Sequence, residues 1–234
     1  MNGKRYGTSY GGYVLPFPLA LKDEAVIYSF GAGEDISFDV EIARETGATV
    51  HIFDFTPRAI EHVNKIKDFY DDKTTLTPNK RYGGGDSTYL TRIVCNKIPS
   101  SSLQLHPYGL AKKDGELQFY YPINPEYVSL SSNPSGKSTT TLKAQVKSLE
   151  SCMKELNHDR IDVLKLDIEG LELEVLDSML KSKIRPKYLC IDFDSGRAEI
   201  GKEKECLEMC SRLRQEGYVL LNFYMWDASF YYSK

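Results

Sequence analysis

Three small residues and an acid form the first pattern in this sequence that could do chemistry. Gly31, Ala32 and Gly33 follow one apolar run, and Asp54 follows the next, 21 positions after Gly33. Small residues let a backbone turn approach a bound cofactor, and an acid after the second strand can accept hydrogen bonds from both hydroxyls of a ribose. Phe55, beside Asp54, could pack on an adenine or belong to the core. The spacing predicts a site for a cofactor that contains a nucleoside.

The residues after the glycine turn separate two classes of nucleoside cofactor. A dinucleotide fingerprint needs Gly or Ala three positions after Gly33, where this chain has Ile36. Glu34 and Asp35 place carboxylates where a pyrophosphate would lie, and they suit a cofactor that carries an ammonium and a sulfonium. We therefore favour S-adenosylmethionine, with Asp35 among its binding residues. A plain tight turn with Asp35 as a helix N-cap is the structural alternative.

A second group of chemically useful residues surrounds an apolar strand pattern. Leu164 and Leu166 alternate as strand core, and Asp167 and Glu169 follow them. Lys165 would lie inside that strand, where burial of a lysine is costly unless it is paired. We interpret Asp167, Glu169 and Lys165 as candidate catalytic residues. An ion pair between Lys165 and an acid, with a purely structural role, is the alternative.

Two more acids, Asp192 and Asp194, end the next predicted strand. Together with Asp167 they could chelate Mg²⁺, a hard ion that prefers oxygen ligands and lowers the pKa of a bound hydroxyl. Asp192 is also a candidate general base. The alternative is that Asp192 and Asp194 cap a loop and bind nothing.

Alternating strand and helix patterns predict how these residues are positioned. Strands are predicted at residues 26–30, 49–53, 102–111, 116–121, 161–166, 188–193, 218–224 and 228–232, with helices at about 36–46, 57–70, 90–94, 172–180 and 200–216. The alternation favours an α/β fold with a mostly parallel sheet covered by helices on both faces. Such sheets bind ligands at the carboxyl ends of their strands, where the candidate residues lie.

Nothing in the sequence divides the chain, so we expect one domain over residues 1–234. Eleven of the thirteen residues from 129 to 141 are Ser, Thr, Asn, Pro or Gly. This composition predicts a long loop, and we place residues 122–141 over the site.

Composition excludes several classes of protein. Apolar residues make up 41% and charged residues 27%, and no run of apolar residues is long enough to span a membrane. A net charge of −3 argues against nucleic acid as a partner. Five scattered cysteines make a poor disulfide framework, and the first 25 residues lack the pattern of a signal peptide. We therefore expect a cytoplasmic protein.

Several motifs in combination resemble the FkbM family of methyltransferases. They are the glycine turn at residues 31–33, residues 53–57 with sequence FDFTP, residues 109–111 with sequence GLA, Asp114-Gly115-Glu116 with Phe119, and residues 164–172 with sequence LKLDIEGLE. The resemblance covers roughly residues 10 to 195.

The resemblance implies a Rossmann-like class I methyltransferase fold, with a seven-stranded sheet in the order 3-2-1-4-5-7-6. It implies that the residues 31–33 turn lies under the methionine part of S-adenosylmethionine and that Asp54 holds the ribose. Leu110 and Ala111 would border the adenine, and Asp167 would face the methyl group. Residues 1–25 would form an N-terminal segment that covers the cofactor.

The function predicted from the resemblance is transfer of a methyl group to a hydroxyl of a small molecule or glycan, with a sugar hydroxyl favoured. Two alternatives from other classes stay open. One is an NAD(P)-dependent oxidoreductase, and the other is a catalytically silent nucleotide-binding module.

Overall fold

Twelve β-strands and six α-helices form the described part of the computed structural model, which comprises residues 2–21, 24–79, 81–127, 129–134, 137–194 and 201–234. In chain order the strands are β1 (Gly3–Tyr6), β2 (Tyr13–Pro16), β3 (Ile27–Phe30), β4 (Val50–Phe53), β5 (Leu103–His106), β6 (Gly109–Leu110), β7 (Gly115–Pro122), β8 (Lys137–Lys147), β9 (Val163–Leu166), β10 (Tyr188–Asp192), β11 (Tyr218–Tyr224) and β12 (Asp227–Tyr232). The α-helices are α1 (Ser37–Thr46), α2 (Pro57–Tyr70), α3 (Tyr89–Cys95), α4 (Leu149–Glu155), α5 (Glu172–Lys181) and α6 (Glu203–Gln215). None of the helices in these ranges is long and apolar enough to cross a membrane.

The central sheet has seven strands in the order β5-β4-β3-β9-β10-β12-β11. The five strands from β5 to β10 run parallel, and β12 pairs antiparallel with both β10 and β11. Counted along the chain within this sheet, the order is the predicted 3-2-1-4-5-7-6.

Helices cover both faces of the sheet because successive side chains of each strand point to opposite sides. Tyr28 and Phe30 of β3 belong to a core that includes buried residues of α4, α5 and α6. Ile27 belongs to a second core, with buried residues of α1, α2 and α3. The predicted α/β, Rossmann-like fold with a mostly parallel sheet is confirmed.

A separate three-stranded sheet, β6-β8-β7, accounts for two differences from the predicted elements. The predicted strand at residues 102–111 is two strands, interrupted at Pro107, which has no N–H to donate. The Ser- and Thr-rich stretch is strand from Lys137 onward, because β8 pairs antiparallel with β7. The described part of the predicted loop therefore ends at residue 134, and residues 128, 135 and 136 lie outside the described residues.

The N-terminal hairpin of β1 and β2 is fastened to the start of α1. The backbone N–H of Gly7 donates to Glu41, and that of Thr8 donates to the Ser37 hydroxyl at 2.9 Å. The Thr8 hydroxyl donates to Asp35. The loop between the two strands is thereby held beside the connection from β3 to α1.

Candidate functional site

A cavity of about 850 Å³ opens at the carboxyl ends of β3, β4, β9 and β10. These ends meet at one edge because backbone hydrogen bonds between neighbouring strands continue for one residue beyond the strand ends. The N–H of Gly31 donates to the oxygen of Phe53 at 3.0 Å, and the N–H of Asp167 donates to the oxygen of Phe30 at 3.1 Å. Twelve of the residues predicted for the site line this cavity, namely Gly31, Ala32, Gly33, Asp35, Asp54, Phe55, Leu110, Lys165, Asp167, Glu169, Asp192 and Asp194.

The turn at residues 31–33 depends on glycine in two ways. Gly31 and Gly33 have φ angles of 83° and 51°, in the left-handed region that side chains disfavour. A Cβ atom on Gly31 would also lie 1.8 Å from the backbone oxygen of Asp167. The turn therefore brings the connection from β3 to α1 directly against the end of β9.

The Asp54 carboxylate holds this turn from the neighbouring strand. Its Oδ2 accepts the N–H groups of Ala32 and Gly33 at 2.9 and 3.1 Å. Its Oδ1 accepts the N–H and the hydroxyl of Thr56 at 2.8 and 2.7 Å. A carboxylate has about four lone-pair sites, and four donors of the chain occupy them. A ribose hydroxyl, the predicted partner of Asp54, would have to compete with these donors.

We expect Asp54→Ala to lower the free energy of unfolding by about 3 kcal/mol or more, since four donors lose a charged acceptor. Urea unfolding followed by circular dichroism measures the loss. Thr56→Ala removes one donor hydroxyl and leaves the carboxylate, so it is the matched control, with an expected cost of about 1 kcal/mol. Equal losses in the two variants would show that Asp54 does not hold the turn.

The acids that follow the turn, Glu34 and Asp35, are both buried and both have partners in the chain. Asp35 Oδ1 accepts the N–H and the hydroxyl of Ser37 at 2.9 and 2.6 Å, while its Oδ2 accepts the hydroxyl of Thr8. Glu34 accepts a hydrogen bond from the guanidinium of Arg58. Asp35 thus serves the local structure before α1, whose N-cap position is Ile36, while it also lines the cavity.

Lys165 is a buried cation that joins two strand ends. Its Nζ donates to the Gly31 backbone oxygen and lies 3.5 Å from Asp167 Oδ2. Burial by itself would lower the pKa of Lys165, but the charges of Asp167, Asp39 and Asp35 more than offset that effect and raise the pKa. The lysine stays protonated, and it fixes the position of Asp167 relative to the glycine turn.

Glu169 lies two residues past Asp167 in a strained turn. Its φ is 54°, a left-handed conformation that costs a residue with a side chain about 1–2 kcal/mol. The Ser131 hydroxyl donates to its backbone oxygen at 3.0 Å and holds this conformation. Burial and the negative charge of Asp167 raise the pKa of Glu169 to about 7. A cavity carboxyl with this pKa is a candidate general base.

Glu172 supports this turn from inside the protein. It is fully buried, and its carboxyl accepts the N–H of Gly170 at 2.9 Å. Burial raises the pKa of Glu172 to about 8, so the group is mostly neutral at pH 7. A neutral buried carboxyl can hold Gly170, and with it the Glu169 turn, without an unpaired charge beneath the cavity.

An apolar wall stands opposite the acids. Phe55 and Phe119 lie with ring centroids 4.4 Å apart, and Leu110 lines the cavity beside them. Ala111, predicted to border the same space, does not line the cavity. The N–H of Ala111 donates to the Lys147 oxygen at 3.0 Å, so Ala111 extends the pairing between β6 and β8.

The glycine turn, the acid after β4 and the acid-rich end of β9 all lie within a range that matches one known protein family. The family model described as Methyltransferase FkbM domain matches residues 31–220. The chain belongs to the FkbM methyltransferase family. The match confirms the family predicted from the sequence motifs, and with it S-adenosylmethionine-dependent methyl transfer as the general activity.

Other comparisons add little to the FkbM assignment. None of the curated proteins matches the chain. Among solved structures, the chain is similar to a precorrin-6y C5,15-methyltransferase from Geobacter metallireducens GS-15, with 11% identity, a TM-score of 0.40, and coverage of 92% of this chain and 84% of that one. A likeness at this TM-score carries no argument about fold or substrate.

The described residues do not support the predicted magnesium site. Asp167, Asp192 and Asp194 are all described, and the described residues contain no group of three or more His, Cys, Asp or Glu side chains that could hold a metal ion. Asp167 is paired with Lys165, and Asp192 stands opposite Asp227 in the antiparallel pairing of β10 and β12.

Sequence analysis missed several residues that line the FkbM cavity, among them Tyr10 and Asp227. Asp227 is the first residue of β12, which runs antiparallel to β10. The amino end of β12 therefore lies at the same edge of the sheet as the carboxyl ends of the parallel strands. A search for residues at the carboxyl ends of parallel strands could not find Asp227. Tyr10 lies in the Gly-rich loop that the resemblance placed over the cofactor, and that loop was its signal.

Proposed function

We propose that this FkbM methyltransferase transfers a methyl group to a hydroxyl oxygen of a small molecule, with a sugar hydroxyl as the preferred acceptor. The observation that carries the proposal is Glu169, a carboxyl with a pKa of about 7 in the cavity at the end of β9. A hydroxyl becomes a good nucleophile when a base accepts its proton, and a base works best when its pKa is near the working pH.

The residues around the turn fit S-adenosylmethionine. This cofactor supplies a methyl group activated on a cationic sulfur. Glu34 is paired with Arg58 and Arg81. The carboxylate of Asp35 lies at the turn and forms no ion pair with the described residues, and its charge favours an ammonium or sulfonium and disfavours a pyrophosphate. The apolar wall of Phe55, Leu110 and Phe119 suits a planar base. Asp54 would support the cofactor through the turn it holds.

Each acid near the proposed reaction has a separate role. Lys165 holds Asp167 beside the turn, and the charge of Asp167 raises the pKa of Glu169. Glu169 accepts the proton of the acceptor hydroxyl. The Ser131 hydroxyl holds the backbone of the Glu169 turn, and a fixed turn favours alignment of the acceptor, an effect worth up to about 7–11 kcal/mol in well-oriented reactions.

Two exposed aromatic rings support a sugar as the acceptor. Tyr10 and Tyr127 line the cavity and are 57% and 65% exposed, so they stand at its mouth. Tyrosine offers an apolar face for the C–H groups of a sugar and a hydroxyl for its polar groups.

Binding and turnover measurements test this proposal. Calorimetry with S-adenosylmethionine, S-adenosylhomocysteine, NAD⁺ and NADP⁺ identifies the cofactor. Incubation with S-adenosylmethionine and a panel of monosaccharides, catechols and amines, followed by mass spectrometry, identifies the acceptor. We expect binding of the two adenosyl compounds only, and a methyl ether on a sugar.

The other outcomes overturn the proposal in separate ways. Methylated amines or catechols with unmodified sugars would correct the acceptor. Binding of a nicotinamide dinucleotide in place of S-adenosylmethionine would support the oxidoreductase alternative. Tight binding of S-adenosylmethionine without turnover on any acceptor would support a silent nucleotide-binding module.

A further inference from the structure

One arginine outside the cavity joins two of its walls. Arg58, in the first turn of α2, donates to Glu34 on the glycine turn. The same guanidinium donates from Nη1 to the backbone oxygens of Pro125 and Tyr127, both at 3.0 Å, and from Nη2 to that of Glu126 at 3.3 Å. We call residues 123–127 the cap segment. Both Glu126 and Tyr127 of this segment line the cavity.

The position of Arg58 is unfavourable unless these contacts are made. The amino end of a helix carries partial positive charge and disfavours a cation in its first turn. Glu34 is only 7% exposed, and a carboxylate so far from water needs a charged partner. The planar guanidinium satisfies the acid and three carbonyls at once, which the single ammonium of a lysine cannot do.

The cap segment makes little apolar contact of its own. Ile123 is 71% exposed and Tyr127 is 65% exposed. Within the segment, the N–H groups of Glu126 and Tyr127 donate to Asn124 and form a tight turn. A segment with so little buried surface depends on polar contacts for its position.

We propose that Arg58 is a positioning residue for the cofactor, and that it holds the cap segment against the glycine turn to complete the cavity wall. The inference rests on the proposed S-adenosylmethionine site for its function, but the clamp itself is a property of the protein alone. Arg58 acts through Glu34, Glu126 and Tyr127, which line the cavity.

The test compares Arg58→Gln with Arg92→Gln. Arg92 pairs with Glu41 at 2.6 Å, and the exposures of that pair, 32% and 7%, nearly equal the 30% and 7% of Arg58 and Glu34. Neither Arg92 nor Glu41 lines the cavity. Both variants thus lose one ion pair of the same burial. Glu34 keeps a second partner, Arg81 at 3.5 Å, and only Arg58→Gln loses the clamp.

Three measurements separate a positioning role from a structural one. Melting temperature should fall no more in Arg58→Gln than in Arg92→Gln, because Glu34 keeps Arg81 as a partner. Hydrogen exchange without ligand should become faster in residues 123–127 of Arg58→Gln only. Calorimetry should show affinity for S-adenosylhomocysteine about 10- to 100-fold weaker in Arg58→Gln only. Arg58→Lys should recover melting temperature but neither cap-segment protection nor affinity, and it serves if Arg58→Gln does not fold.

Equal exchange and equal affinity in Arg58→Gln and Arg92→Gln would overturn the clamp. Full recovery of both properties by Arg58→Lys would overturn the need for the guanidinium. If the unaltered protein does not bind S-adenosylhomocysteine, the proposed function fails, while the exchange measurement still decides whether Arg58 holds the cap segment.

Discussion

Glu169→Gln is expected to lower kcat by about 10²- to 10⁴-fold, which is about 3–5 kcal/mol in the barrier. The amide keeps the size of the side chain but cannot accept a proton from the acceptor. S-adenosylmethionine affinity should change little, because the glycine turn is held by Asp54. Saturating turnover and calorimetry measure the two effects. Glu174→Gln, the same change at an exposed ion pair with Lys112, is the control and should leave kcat unchanged.

The pH dependence of kcat gives a second measure of the role of Glu169. Its pKa of about 7 means that about half of the carboxyl is ionised at pH 7 and that the protonated, inactive form dominates below it. We expect kcat to rise with pH, to reach half of its maximum near pH 7 and to level off about one unit higher. Glu169→Gln should remove this rise. A rise that persists in Glu169→Gln would assign the base to another group.

Asp167→Asn separates the two neighbouring acids. The charge of Asp167 helps to raise the pKa of Glu169, so its removal should move the rise in kcat to lower pH. Melting temperature should also fall, because the buried Lys165 loses its carboxylate partner. A loss of kcat as large as that of Glu169→Gln, with no movement of the pH profile, would instead make Asp167 the base.

Gly31→Ala is expected to lower the free energy of unfolding by about 4 kcal/mol or more. The new Cβ would lie 1.8 Å from the Asp167 backbone oxygen. Backbone cannot move aside as a flexible side chain can, so β3 and β9 would have to separate. Urea unfolding measures the loss, and absence of folded protein would agree with the prediction.

Gly47→Ala is the matched control for that experiment. Gly47 also has a left-handed φ, 69°, but a Cβ there would meet no atom within 4 Å. Gly47→Ala should lower the free energy of unfolding only by the cost of the left-handed conformation, about 1–2 kcal/mol. Equal losses of unfolding free energy in Gly31→Ala and Gly47→Ala would show that the end of β9 moves away from the new Cβ at no cost.

The sequence predicts the sheet well where strands are buried on both faces. β3, β4 and β9 are four-residue strands in which every side chain is buried, and each is followed by a glycine or an acid. β8 was missed because most of its residues are exposed or half-buried, and a polar Ser- and Thr-rich strand resembles a loop in composition.

The sequence predicted which residues line the cavity much better than it predicted the contacts that those residues make. Parallel strands have their carboxyl ends at the same edge of the sheet. The positions of Gly31, Asp54, Asp167 and Glu169 just after predicted strands therefore predicted that they lie together. These positions could not show that Thr56 and two amides fill the lone pairs of Asp54. Such pairings depend on side-chain directions, which residue spacing does not specify.

The internal donors of Asp54 also bear on the kinetics of the enzyme. With four hydrogen bonds from its own chain, the turn at residues 31–33 has its shape before any ligand arrives. The chain therefore loses no conformational freedom at the turn when the cofactor associates. A preformed turn makes recognition there a lock-and-key event, and the association rate is governed by encounter with the cavity mouth.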